Sequence, residues 1–178
     1  MLDLQPTLAG AKIGLRPIAT KDRDALFTIA SDPLLWAQHP DASRGTPAGF
    51  DRFFDESINS KGCLAIVDSD HNSVIGCTRY HSYEPGLRVT IGYTFLSRTY
   101  WGGVANGEAK RLMLSHAFSD VLEVVFLVAE GNLRSRRAVE KLGARLCDAE
   151  EAPRFGQIHF IYRLKRQDWI RASFGDLA

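Results

Sequence analysis

The sequence between residues 96 and 113 reads Leu-Ser-Arg-Thr-Tyr-Trp-Gly-Gly-Val-Ala-Asn-Gly-Glu-Ala-Lys-Arg-Leu-Met. A strand-like run ends at Leu96, and apolar residues recur at helical spacing from Ala109 onward, with a glycine-containing turn at 102–107 between them. The first turn of a helix presents outward-pointing N–H groups and about half a positive charge, and glycine lets a phosphate approach closely. The stretch therefore predicts a pyrophosphate site, with a glycine turn used only for tight packing as the alternative.

Beyond this turn, the run Val124–Ala129 is apolar on both alternating faces, which is typical of a central strand covered on both sides of a sheet. Asn132 can cap the helix that follows, and Gly143 can end it. The run 159–164 predicts a final strand.

On the other side of the turn, the pattern predicts an edge strand at 13–18, a helix over 25–30, a loop from 34 to 47 and a helix carrying apolar residues at 50–58. Strand-like runs at 63–67, 74–83 and 87–96 are separated by short turn segments, so they predict an antiparallel meander.

The composition excludes several functional classes. The 178 residues are 45% hydrophobic and 24% charged with a formal net charge of +1, typical of one globular domain spanning 1–178 and without the basic excess that nucleic acid requires. The N-terminus lacks a signal pattern and no run is long enough to span a bilayer, so we expect a cytoplasmic protein. The spacing of Cys63, Cys77 and Cys147 predicts neither a metal site nor a redox pair.

Two motifs in register resemble the GNAT superfamily of acyl-CoA N-acyltransferases. Its Gln/Arg-x-x-Gly-x-Gly/Ala signature falls on 101–106, and its strand–Asn-x-x-Ser/Ala–helix signature falls on 132–143. The segments 15–17, 74–76 and 91–93 extend the resemblance to the ribosomal-protein alanine acetyltransferase branch over about residues 13–165. It implies an α+β GNAT fold: a mixed, mostly antiparallel sheet of six to seven strands with a parallel pair at its centre, flanked by about four helices.

The resemblance also implies where acetyl-CoA binds. Its pyrophosphate would lie on Trp101, Gly102, Gly103, Val104, Ala105, Asn106 and Gly107, although Trp101, Val104 and Asn106 depart from the signature. A bulged strand would hold the pantetheine arm and polarise the thioester at Phe95 and Leu96. Asn132 would meet the pantetheine or the amine, with a helix cap as its alternative role. Ser135 would lie near the sulfur as a catalytic residue, or be an ordinary first-turn serine.

The resemblance does not supply the usual acid and base. The positions of the glutamates that many relatives use hold Thr90 and Leu127, and the position of the usual tyrosine acid holds Val139. Possible substitutes near the splayed strands are Tyr80, His81, Tyr83, Glu84 and Tyr93, of which His81 alone has an unperturbed pKa near neutrality. His81 is therefore the predicted general base, with attack by an already neutral amine as the alternative.

The implied activity is transfer of an acetyl group from acetyl-CoA to a primary amine, such as a protein N-terminus, an amino acid or a small amine. The helix–loop–helix region around Trp36, Gln38, His39 and 50–54 would cover the acceptor. The missing glutamates motivate a rival interpretation, a non-catalytic acyl-CoA-binding or interaction module on the same fold. The resemblance makes a homodimer plausible and gives no reason to expect a metal.

Overall fold

The computed structural model describes residues 1–152 and 157–174, in which eight strands form one sheet of order β1-β2-β3-β4-β5-β6-β8-β7. The strands are Leu8–Ala9 (β1), Ile13–Pro17 (β2), Cys63–Asp68 (β3), Ser73–Glu84 (β4), Arg88–Leu96 (β5), Glu123–Ala129 (β6), Arg145–Ala152 (β7) and Gln157–Lys165 (β8). The helices are Arg23–Ala30 (α1), Pro47–Asn59 (α2), Ala105–Ala117 (α3), Leu133–Glu140 (α4) and Arg166–Phe174 (α5). Neighbouring strands are antiparallel except β5 and β6, which form the predicted parallel pair.

Local sequence signals set the ends of several helices. Thr46 accepts a hydrogen bond from the Gly49 N–H and is followed by Pro47, so α2 begins with a polar cap and a residue whose φ is already helical. Asn132 caps α4 in the same way, as its sequence position predicts. Gly143 follows α4 with φ of 90°, a conformation that glycine adopts without strain. No helix in the described part of the chain is long and apolar enough to cross a membrane.

The two faces of the sheet carry two separate apolar clusters. The larger packs α3 against β2, β4, β5 and β6 and includes the fully buried Met113, Leu114 and Tyr162. The smaller packs α1, α2 and the turn at Pro33–Trp36 against β3–β5 and is rich in aromatic side chains, among them Phe50 and Phe53. The sheet therefore separates a helix-α3 face from a helix-α2 face.

The predicted fold class is confirmed, with two differences in detail. The described residues contain eight strands and five helices instead of six to seven strands and about four helices. The two-residue strand β1 lies outside β2, so the predicted edge strand is the second strand of the sheet. Strand β7 has a charged sequence without alternating apolar residues, so its pairing with β8 comes from backbone hydrogen bonds and not from a hydrophobic pattern.

Candidate active site

Strands β5 and β6 pair at only three positions and then diverge. Arg88, Val89 and Thr90 pair with Glu123, Val124 and Val125, and the rest of β5 does not pair with β6. On its other side β5 contains a bulge, because Cys77 pairs with Phe95 and Arg79 with Gly92, which leaves two residues of β5 opposite one residue of β4. The splay and bulge implied by the family resemblance are therefore present.

Tyr93 and Thr94 are the two residues that lie opposite Thr78 in this bulge. The backbone of Tyr93 has φ of 52°, a left-handed conformation that is uncommon for an aromatic residue and costs free energy. Residues kept in such a conformation cluster at functional sites, which marks the bulge as a candidate site.

The end of β5 presents backbone groups to the gap that opens between β5 and β6 where the two strands diverge. Ser97 donates its N–H to the carbonyl of Ile75 in β4. Because successive residues of a strand point in opposite directions, the N–H and carbonyl of Leu96 face away from β4. The Trp101 indole N–H donates to this carbonyl at 3.1 Å. The backbone of Leu96 can thus offer a donor and an acceptor to a ligand, provided that the indole releases the carbonyl.

The glycine turn leads directly into the open N-terminus of α3. Gly102 has φ of 75°, and α3 begins at Ala105, so Ala105, Asn106 and Gly107 form its first turn. No side chain caps this end of the helix, and residues 102–104 are exposed. The carboxylate of Glu108 instead accepts from the N–H groups of Ala11 and Lys12. A 13-residue helix therefore directs uncapped N–H groups and its positive dipole end at solvent beside the gap.

Lys110, also on α3, is a buried amine close to the bulge. Its Nζ donates to the hydroxyl of Thr78 at 3.1 Å and to the hydroxyl of Thr94 at 2.5 Å. No carboxylate forms an ion pair with it in the described residues, and burial lowers its pKa to about 7. The amine joins α3 to the bulged part of β5.

The first turn of α4 lies against Trp101. The guanidinium of Arg134 is 3.7 Å from the centre of the Trp101 ring, and it also donates to the carbonyl of Leu35. Asn132 is buried and accepts from the N–H of Ser135 at 3.2 Å, so its cap role is observed, while a role with ligand stays a prediction. Ser135 is half-buried in this turn. Trp101 thus contacts both the end of β5, at Leu96, and the first turn of α4, at Arg134.

The helix-α2 face of the sheet carries an aromatic–arginine cluster, made of Arg44, Phe53, Arg79 and Tyr93. The Arg79 guanidinium lies 4.3 Å from the Tyr93 ring centre, and that of Arg44 lies 4.9 Å from the Phe53 ring centre. Both arginines are about 95% buried. Arg44 bonds the Asp41 carboxylate at 3.3 Å, whereas Arg79 donates to the Ser57 hydroxyl and lies beside the Cys63 thiol.

His81 lies beside this cluster. Its ring contacts Tyr93 edge-on with 5.1 Å between ring centres, and its Nδ1 is 3.1 Å from the Ser82 hydroxyl. Burial, and secondly the charge of Arg79, lower the pKa of His81 to about 4. The imidazole is therefore neutral at pH 7 and able to accept a proton, but its titration lies well below the pH 6.5–7 of an ordinary histidine.

Of the other candidate acids and bases predicted from the sequence, all but Tyr93 form hydrogen bonds or ion pairs away from His81. The hydroxyl of Tyr80 donates to the carbonyl of Met113 within the core. The hydroxyl of Tyr83 donates to Asp120, and Glu84 pairs with Arg88 near the far end of β5. His81 therefore remains the predicted base.

The sheet is open on the helix-α2 face at β6. Thr90 lies opposite both His81 and Val125, and directly opposed residues share a face, so Leu127, two residues beyond Val125, also lies on this face. Leu127 is 39% exposed, so the prediction that β6 is covered on both faces is wrong at this position. The opening gives solvent access to the face that carries His81.

Sequence reasoning missed Lys110, Arg44 and Arg79. Lys110 could have been noticed, because it shares the buried side of α3 with Leu114 and Ala117 at i+4 and i+7. The alternation of Arg79 with Cys77 and His81 gave a weaker signal. Nothing in the turn-rich segment around Arg44 indicates that its side chain is buried.

Comparison with known proteins agrees with this geometry. Residues 12–145 match the family described as acetyltransferase (GNAT) domain. No curated protein sequence matches the chain. A GCN5-related N-acetyltransferase from Brucella melitensis is similar in structure, with a TM-score of 0.81, 19% identity and coverage of 93% of this chain and 80% of that chain.

Two other similar structures contain CoA compounds. Mycobacterium smegmatis RimJ in complex with CoA-disulfide has a TM-score of 0.70 at 16% identity, covering 97% of each chain. Vibrio cholerae spermidine N-acetyltransferase in complex with CoA and spermine has a TM-score of 0.70 at 12% identity, covering 90% of this chain and 99% of that chain. At these identities the likeness concerns the fold, while the family match spans most of the sequence. The chain belongs to the GNAT acetyltransferase family.

Proposed function

We propose that this protein transfers an acetyl group from acetyl-CoA to a primary amine on a protein N-terminus, an amino acid or another small molecule. The observation that carries the proposal is the meeting of the splayed end of β5, the glycine turn and the uncapped N-terminus of α3 at one gap. A pyrophosphate matches the donors and the dipole at that helix end. The CoA compounds bound by two proteins of the same fold support this choice of ligand.

Each part of the gap has a distinct task in this proposal. The first turn of α3, with residues 101–104, holds the pyrophosphate. Phe95 and Leu96 hold the pantetheine arm, and the Leu96 N–H polarises the thioester carbonyl. The Trp101 indole gives up the Leu96 carbonyl so that a pantetheine amide can donate to it. Asn132 and Ser135 face the arm from α4.

His81 takes the proton that the amine loses as it attacks the thioester carbon. The new C–N bond replaces the C–S bond, and the leaving thiolate takes a proton from solvent, because Val139 has no proton to give. The burial of His81 keeps it neutral and ready at physiological pH.

Ligand-dependent melting tests the proposed cofactor. Acetyl-CoA at 100 times its dissociation constant stabilises the folded state by about 2.7 kcal/mol. For a chain of this length we expect the melting temperature to rise by roughly 5 to 10 °C. ATP and NAD should leave it unchanged. A melting temperature that millimolar acetyl-CoA does not move would exclude the proposed function.

Turnover separates the enzyme from a non-catalytic acyl-CoA-binding module. CoA release with a panel of primary amines, compared with heat-inactivated protein, supports the enzyme. Tight acetyl-CoA binding without amine-dependent release of CoA over a broad panel supports the binding module. The reason to consider this module is that Thr90 and Leu127 stand where many relatives have a glutamate.

A Gly103→Asp variant tests the position of the pyrophosphate. A Cβ at Gly103 comes no closer to another group than 3.6 Å, to the carbonyl of Tyr100, so the variant should fold. The added carboxylate repels phosphate, and we expect acetyl-CoA affinity to fall at least about tenfold. Gly103→Ala is the matched control and should bind nearly as well as the wild type. An unchanged dissociation constant in a folded Gly103→Asp protein would place the cofactor elsewhere.

Other features are also proposals from the sequence. They are membership of the ribosomal-protein alanine acetyltransferase branch, a single domain over 1–178, a cytoplasmic location and a possible homodimer. The order of motifs from 15–17 to 132–143 supports the branch.

A further inference from the structure

Arg79 is a buried cation with an unsatisfied donor. Its side chain forms no ion pair with a carboxylate in the part of the chain that the structure describes. Its Nε is buried and has no hydrogen-bond partner. A buried guanidinium without an anion costs free energy in desolvation, and a buried donor without an acceptor adds to that cost. Such a group in a folded protein is completed by a bound water, an ion or a ligand.

Arg44 brings a second guanidinium to the same place. Both Arg44 and Arg79 lie over the rings of Phe53 and Tyr93, so the two charges share one small region. Asp41, bonded to Arg44, is the one carboxylate that forms an ion pair with either arginine among the described residues. Arg44 and Arg79 together have one paired carboxylate, that of Asp41, so the arginine pair keeps a positive charge on the helix-α2 face.

Two histidines, His39 beside Arg44 and His81 beside Tyr93, border the arginine pair. Burial is the main cause that lowers the pKa of His39 and of His81 to about 4 in each case. The next cause is the charge of Arg44 for His39 and of Arg79 for His81. Both histidines are thus neutral at pH 7 and do not repel an anion.

A cleft reaches this cluster from solvent. It has a volume of about 270 Å³ and is lined by Asp41, Ser43, Arg44, Gly49, Arg52, Phe53 and Glu56. Arg44 and Phe53 are therefore shared between the cleft and the cluster. Tyr93, which covers Arg79, is 36% exposed and lies on the strained bulge of β5. The cleft leads a small ligand to Arg44, and the Tyr93 ring lies between Arg79 and solvent.

We propose that the acceptor amine carries a carboxylate, which binds Arg79 through the free Nε with Arg44 beside it. A guanidinium binds a carboxylate through parallel hydrogen bonds, which are stronger than neutral ones. Bound in this way, an amino-acid-like acceptor lies between the arginines and His81, on the face of β5 opposite α3. A polyamine would meet two cations here and is disfavoured. This inference rests on the proposed function and names its substrate class.

Acetate tests the anion subsite without any catalytic turnover. In protein labelled with ¹⁵N, the Arg79 Nε–H resonance is assigned by its loss in Arg79→Gln. Titration with acetate should shift this resonance in a saturable way, while acetamide, which has the same shape without the charge, should not. A resonance that acetate leaves in place, or that acetamide shifts equally, overturns the proposal even if acetyl-CoA binds as expected.

Matched acceptors test the substrate class. Alanine, leucine, phenylalanine and 4-aminobutyrate are compared with their primary amides and with spermidine in the CoA-release assay. For the best acceptor, kcat/KM of the amino acid should exceed that of its amide by about ten- to hundredfold, the range for hydrogen bonds to a charged group. This quotient is the acid-to-amide ratio. In Arg79→Gln this ratio should fall towards one, mainly through a higher KM.

Arg88→Gln is the control, because it removes the positive charge of a half-buried, Glu84-paired arginine from the same sheet, away from the aromatic–arginine cluster. It should keep the ratio of the wild type. Equal rates for acids and amides, or a preference for spermidine, overturn the inference and leave the acetyltransferase proposal intact. If acetyl-CoA fails to raise the melting temperature, the proposed function falls, while the acetate titration still decides whether Arg79 binds a carboxylate.

Discussion

Replacing His81 with alanine is expected to lower the turnover number by about a hundredfold or more, the lower end of what a positioned base contributes. The acetyl-CoA dissociation constant should change little, because His81 lies on the helix-α2 face and the pyrophosphate turn lies at the N-terminus of α3. The readouts are the rate with a saturating acceptor amine and the acetyl-CoA-dependent melting shift.

The pH profile gives the sharper test of this role. Since burial holds the pKa of His81 near 4, its neutral form is complete well below neutrality. The rate should rise with pH through about 4 and show no His81 inflection at 6.5–7. His71→Ala, which removes an exposed histidine bonded to Asp68, is the control and should keep the wild-type rate. If His81→Ala retains full turnover, attack by an already neutral amine with loss of its proton to water is the better account.

The parts of the site that sequence predicts best are those set by local backbone chemistry. The glycine turn, the start of α3 and the Asn132 cap depend on residues within one turn of each other, so their pattern is visible in the chain itself. The splay of β5 from β6 and the bulge at Tyr93 are different. They arise from pairing between distant strands and were predicted only through the family resemblance.

Burial of charge is what the sequence did not predict. In the sequence, Arg79 and Lys110 look the same as exposed arginines and lysines. Their burial depends on the side chains that pack over them, such as Tyr93 over Arg79. Patterns of period two or 3.6 assign a residue to a face but do not say whether a long polar side chain on that face reaches solvent. The same limit explains Leu127. It belongs to an apolar run that predicts a buried side chain, but this side chain is exposed in the structure.

Tertiary structure also changed the predicted chemistry of His81. An unperturbed histidine titrates near neutrality, and this was the reason to choose it. The structure places His81 on the helix-α2 face, buried against Tyr93 and near the charge of Arg79. A base role for His81 stays a prediction, and burial moves the pKa at which it would act to about 4.

Replacing Lys110 with methionine is expected to stabilise the fold at pH 6–7 by an amount on the order of a few kcal/mol. Burial lowers the pKa of Lys110 from 10.5 to about 7 in the folded state. Below pH 7 both folded and unfolded chains carry the proton, so the folded state bears the full cost of a buried charge. Between pH 7 and 10.5 the unfolded chain keeps the proton that the folded chain loses, and the cost declines as pH rises. The gain from Lys110→Met should therefore be largest at pH 6–7 and shrink towards pH 10.

Denaturant unfolding at several pH values measures this gain directly. The methionine has nearly the length of the lysine stem, and the hydroxyls of Thr78 and Thr94, 2.8 Å apart, can still bond each other after the amine is removed. Lys12→Met is the control, because a hydrogen bond to Asp70 raises the pKa of this exposed lysine and its removal should bring no stabilisation. A Lys110→Met protein that is less stable than the wild type at pH 6–7, or whose difference from it does not vary with pH, would mean that the bonds from Nζ to the β5 bulge outweigh the cost of burying the charge.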